Sequence, residues 1–133
     1  MISTIISALA YSNASAQNLV RPQEIHFANM RQLTFQGENA EAYFSGDDEK
    51  LIFQSTRDAY KCDQIFIMNA DGTDFRMVSN GKGRATCAFF NPAGDNIIYA
   101  STYMADPACP PPPINGAWLC LGHLSRLRYL HRR

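Results

Sequence analysis

Three acids in a row, Asp47, Asp48 and Glu49, form the densest group of reactive side chains in this sequence. Paired carboxylates cleave glycosides only when they face each other across a cleft. Neighbours on one reversal point into water, so this run reads as a solvated turn. Asn69, Asp71 and Asp74 look like part of a calcium loop, but no bidentate Glu follows at the spacing such a loop needs. A hairpin explains the same letters. No Gly-x-Ser-x-Gly elbow is present, and His26, His123 and His131 all lie outside the repeated motifs described below. No catalytic residue, cofactor or metal is expected, and the chain does not read as an enzyme.

Cysteine is the other reactive type. Cys62, Cys87, Cys109 and Cys120 suit an oxidising compartment. Four cysteines allow three pairings, and spacing alone does not choose among them. The strand layout favours Cys62 with Cys87, each at or just before the start of a strand in consecutive units. That bond would close a loop of about 25 residues, worth roughly 3 kcal/mol in the chain-entropy model. Buried free thiols are the alternative. Zinc is disfavoured, because no pair has Cys-x-x-Cys spacing and Cys120-Leu121-Gly122-His123 is only half a site.

The elements that must carry these residues follow from a repeat. Tyr43-Phe44-Ser45-Gly46-Asp47-Asp48-Glu49-Lys50-Leu51-Ile52-Phe53-Gln54-Ser55-Thr56 returns as Phe89-Phe90-Asn91-Pro92-Ala93-Gly94-Asp95-Asn96-Ile97-Ile98-Tyr99-Ala100-Ser101-Thr102. The offset is 46 without gaps (89 − 43 and 102 − 56). Upstream, Arg31-Gln32-Leu33-Thr34 answers to Arg76-Met77-Val78-Ser79 at an offset of 45 (76 − 31). Apolar residues follow period two, which predicts strands at 31–35, 40–45, 51–55, 64–69, 75–79, 85–90 and 96–102. Asn69-Ala70-Asp71-Gly72-Thr73 reads as a hairpin with a primed Asp-Gly turn. Turn residues at Asp47, Asp48, Asp71, Gly72, Pro92 and Gly94 punctuate the repeat. The fold class is all-β. Four short strands per period of about 45 residues indicate propeller blades, here about one and a half four-stranded antiparallel blades with irregular termini.

Composition bounds the rest. The chain has 133 residues, 46% hydrophobic and 18% charged, which suits one small domain. Through Asp106 there are 8 basic and 12 acidic residues (−4); beyond it come four arginines and no acid (+4). Ile5-Ile6-Ser7-Ala8-Leu9-Ala10 followed by Ala14-Ser15-Ala16 reads as a secretory leader over 1–16, although no basic residue precedes it. Residues 17–30 read as a linker. Residues 110–133 open on four prolines, which cannot pair as a central strand, and read as a disordered or foreign tail. Leu119, Leu121, Leu124, Leu127 and Leu130 with their arginines could suggest a membrane-surface helix. Those leucines drift around a helix, so membrane contact is not expected.

Phe44-Ser45-Gly46-Asp47-Asp48, Ser55-Thr56-Arg57-Asp58, Gln64-Ile65-Phe66 and Asn69-Ala70-Asp71-Gly72 together resemble the TolB-type, WD-repeat-like propeller blades of exported bacterial proteins. The resemblance covers residues 31–109. Gly46 stands where that family has Pro, Asp48 where it has Gly, and Ala93 where it has the acid. The resemblance implies a periplasmic or secreted module that binds a protein or polysaccharide without catalysis. No nucleic-acid partner is expected.

Length conflicts with that fold. Propellers close with about 4–8 blades, and repeat units need about three to bury a continuous core. Missing blades or self-association are therefore implied. The alternatives are the noncatalytic propeller part of a longer secreted hydrolase or peptidase, and a truncated gene remnant.

Overall fold

The computed structural model describes residues 23 and 25–111, together with the backbone of residues 128–132. The expected leader, residues 1–16, and the tail segment 112–127 lie outside the described residues. The chain divides into two compact units, Met1–Gln32 and Leu33–Arg133. Within the first, residues 25–32 form no strand and are exposed.

Regular structure among the described residues is entirely β. In chain order the strands are β1 (Glu38–Phe44), β2 (Lys50–Thr56), β3 (Gln64–Asn69), β4 (Arg76–Met77), β5 (Ala85–Phe90), β6 (Ile97–Ser101) and β7 (Arg128–Arg132). They form two antiparallel sheets, β1-β2-β3-β4 and β5-β6-β7, and neither closes on itself.

The sequence repeat is a structural repeat in the main chain of its turns. In the β1–β2 turn the Ser45 N–H donates to the Lys50 carbonyl at 2.9 Å, and in the β5–β6 turn Asn91 donates to Asn96 at 2.9 Å. Asp48 to Ser45 and Gly94 to Asn91 match likewise, both at 3.0 Å. Asp48 holds φ at 60° and Gly94 at 74°, the left-handed region that Asp visits more readily than most residues. A β-bulge recurs too. The β1–β2 register slips between Ala40 and Tyr43, and the β5–β6 register slips between Thr86 and Phe89, 46 residues on (86 − 40). The bulged residues, Glu41 and Cys87, have φ of 50° and 51°. Because Cys87 is the extra residue, Ala85 and Ala88 both turn inward although three positions apart.

The main core lies between the sheets. Ile52, Ile65, Ile67 and Val78 from the first meet Ala85, Ala88, Ile97 and Tyr99 from the second. Ile52 and Ile65 are fully buried, worth about 1.5–3 kcal/mol each against full exposure. On the opposite face of the first sheet, Leu51, Phe53, Phe66 and Met68 pack under Leu33 and Met77. With both faces covered, β2 and β3 read as nearly continuous apolar runs.

Three expectations need correction. Residues 31–35 form no strand. A strand needs a ladder partner, and here Leu33 instead serves as a side-chain cover over the outer face of the first sheet. The strand expected at 75–79 shrinks to Arg76–Met77, after which the Val78 and Ser79 N–H groups both turn onto the Ile65 carbonyl. The β3–β4 connection is not a two-residue primed turn. The Gly72 N–H donates to the Asn69 carbonyl at 2.8 Å and only Gly72 of that turn has positive φ, 87°, so a type I reversal is followed by a left-handed glycine.

The tail also differs from expectation at Arg128–Arg132, which pairs antiparallel with β6. Its register is that of β3. Ile52 opposes Ile67 in the first sheet, and Ile98, 46 residues after Ile52, opposes His131 in the second. β7 thus occupies the third-strand position of the second sheet.

Candidate functional site

The expected Cys62–Cys87 bond is absent; the disulfide joins Cys62 to Cys109, 47 residues apart, and Cys87 is a free thiol. The physical reason is placement. Cys87 sits on the β5 bulge, where its N–H donates to the Gln54 side chain from β2. Cys62 lies just before β3, at the sheet end where the chain after β6 returns. The Gly83 N–H donates to the Pro107 carbonyl at 2.8 Å, and the Ala85 N–H to Asp63 at 2.8 Å. Cys62 and Cys109 therefore sit on corresponding connections of successive sheets. At the same end, buried Gln64 donates to the Gly83 carbonyl at 2.9 Å and accepts from the Ser79 hydroxyl at 2.7 Å. A disulfide fits an oxidising environment. Burial pushes the Cys87 thiol above its ordinary 9.0; the nearby Glu41 carboxylate acts in the same direction, and a bond to Thr86 opposes both.

The expected turn residues all sit in turns. Asp47 accepts from the Ser45 hydroxyl at 2.6 Å and from the Glu49 N–H at 3.2 Å. Those bonds hold its carboxyl below the ordinary 3.8. Asp71 caps its own turn by accepting from the Thr73 N–H and hydroxyl at 2.9 and 2.6 Å. Gly46, where the other copy has Pro92, has a local reason: a Cβ there would lie 3.3 Å from the Pro92 carbonyl oxygen. The two turns touch. Arg57 of the Ser-Thr-Arg-Asp motif is also structural. Its guanidinium stacks 4.3 Å from the Phe75 ring centroid and donates to the Gln36 carbonyl and the Asn39 side chain at 2.8 Å.

Two other features are available for recognition. The first is the open face of the second sheet. Ile98 is 43% exposed and its register partner Phe89 is 42% exposed. Directly opposed residues share a sheet face, so together they form an apolar patch, which Tyr43 extends by packing on Phe89 at 4.3 Å.

The second is a cleft of about 240 Å³ between the two sheets, at the end away from the disulfide. Buried Ile67, Val78 and Ile97 form its floor and half-buried Phe90 a wall. Lys50, Arg76, Asp95 and Asn96 supply its polar groups. Arg76 pairs with Asp74 at 3.7 Å, and Lys50 acts on Asp47. Asp95 accepts from the Asn91 and Asn96 amides at 2.8 and 2.7 Å. The Asn96 Oδ1 is buried and accepts no hydrogen bond from the described residues.

No family model, curated protein or solved structure matches the chain. Among the described residues no group of three or more His, Cys, Asp or Glu side chains is placed to hold a metal ion. Sequence reading missed the cleft residues. The available signal was that Lys50 and Asn96 hold the same place after their turns (96 − 50 = 46), next to an aromatic pair, Phe44 and Phe90.

Proposed function

We propose that the chain is a noncatalytic, exported recognition module built as part of a propeller of the TolB type. It binds a protein or polysaccharide and presents the open face of its second sheet to a further sheet of the same repeat. One observation carries this reading. Ile52 is 0% exposed beneath the second sheet, whereas Ile98, at the same position of the next unit, is 43% exposed. What covers Ile52 is a sheet of this repeat, and the same chemistry suits Ile98. Contiguous exposed apolar surface marks an interaction site. The Cys62–Cys109 bond supports an oxidising, extracytoplasmic setting.

Light scattering across a concentration series tests this. Wild-type protein is expected to associate, and Ile98→Glu to remain monomeric with an unchanged far-ultraviolet spectrum. A wild-type monomer at about 100 μM, a concentration at which even micromolar contacts saturate, that also melts cooperatively well above room temperature would count against the reading.

A further inference from the structure

We propose that the cleft between the sheets takes one neutral pyranose ring, a single sugar unit of a glycan. This rests on the reading of the chain as a recognition module and names what it recognises.

Size sets the first limit. At about 240 Å³ the cleft falls below the ~300–1,000 Å³ of pockets that enclose drug-sized ligands. One ring fits; an oligomer must continue outside.

Charge sets the second. Lys50 and Arg76 would select a carboxylate or phosphate if they stood unopposed. They do not. Asp74 lies 3.7 Å from Arg76, Asp47 feels Lys50, and Asp95 itself lines the cleft. The surroundings hold donors and acceptors in near balance without excess positive charge. A sugar hydroxyl both donates and accepts, so a polyhydroxylated neutral ring satisfies such a set where an anion would meet the acids.

Shape sets the third. Phe90 and the apolar floor offer a surface for the C–H face of a pyranose, and the same cleft carries polar groups for its hydroxyls. Small-ligand sites combine apolar surface with convergent polar groups, and here the polar share of the lining is the larger.

Asn96 supplies the fourth observation. Its Nδ2 donates to Asp95, while its Oδ1 is buried without a donor. Such atoms are few in native proteins, and each calls for a cause. In this conformation the oxygen is closed off by its neighbours. Asn96 lines the cleft, and a sugar hydroxyl seated there is the donor this oxygen lacks.

The test is a nitrogen–proton correlation spectrum of the full chain, titrated separately with glucose, galactose, mannose, N-acetylglucosamine, glucuronate and inorganic phosphate. At least one neutral sugar is expected to saturate, with a Kd on the order of a few millimolar for so small a ligand. The shifts should centre on Ile67, Arg76, Phe90 and Asn96. Arg76→Gln, at an exposed position, should weaken binding by roughly tenfold without changing the melt. Asn96→Ala should do the same, and Arg76→Gln keeps the test decisive if Asn96→Ala disturbs its turn. Saturation by glucuronate or phosphate alone overturns the neutral-ring assignment but leaves the recognition module standing. So does a neutral sugar that binds away from the cleft. If no compound saturates by about 50 mM, well above that expected Kd, the assignment fails. Association through Ile98 then decides the broader reading separately.

Discussion

Reduction of the Cys62–Cys109 bond gives the sharpest test of how the two sheets are held together. The bond spans 47 residues, and closing a loop of that length removes about 4 kcal/mol of denatured-state entropy at 25 °C in the chain-entropy model. For a domain of this size each kcal/mol moves the midpoint by about 4–8 °C. Reduction should therefore lower the melting temperature by roughly 15–30 °C. Calorimetry of the full chain with and without a phosphine reductant measures this while keeping both sulfur atoms in place. That matters because Cys62 is only 2% exposed, and truncating it would add a cavity cost. Cys87→Ala should retain the bond and its sensitivity to reductant. Non-reducing peptide mapping that recovers Cys62 linked to Cys87 would refute the reasoning. A reductant effect below about 5 °C would also refute it, being about 1 kcal/mol or less.

Three further outcomes are expected. Ile52→Ala should cost about 2–5 kcal/mol in urea unfolding, whereas Ile98→Ala, measured at dilution, should cost below about 1 kcal/mol; equal costs would mean that both faces are covered. The Cys87 thiol, its pKa raised chiefly by burial, should react with iodoacetamide at pH 8 more slowly than a free cysteine, and faster reaction would contradict the described environment. Asp47 has a depressed folded pKa, so its contribution to stability is fully present above about 3.8 and is lost as pH falls through the lower folded value. A carboxyl carbon titration with its midpoint at or above 3.8 would remove that contribution.

What the letters reveal follows from which physical features leave a mark on side-chain type. β3 was legible to the residue because a β-branched and aromatic run bounded by turn residues has few other solutions, and β5 because Phe89-Phe90 opens the second copy of the repeat. The bulges were not. Glu41 and Cys87 adopt left-handed φ without glycine, so nothing in the sequence marks them. The disulfide was misread for the same reason, since the bulge takes Cys87 out of the ladder and turns its N–H onto Gln54, while Cys62 and Cys109 meet on the connections at the sheet end. Position in the repeat held a better clue: Cys62 follows Thr56 by 6 residues and Cys109 follows the matching Thr102 by 7. Residues 31–35 show the reverse error, with strand-like alternation where no ladder neighbour exists among the described residues. Of the cleft the repeat marks only the Lys50–Asn96 correspondence; Arg76 joins them only once two separate sheets converge, which no local pattern records.

The strand at Arg128–Arg132 shares none of the repeat's motifs, yet it aligns with β6 just as Gln64–Asn69 aligns with β2. Main-chain ladders ask little of side-chain identity, so the outer margin of this architecture tolerates replacement. A segment whose letters share nothing with the repeat can thus pair with β6 in the repeat's own register, because the main chain alone makes that pairing.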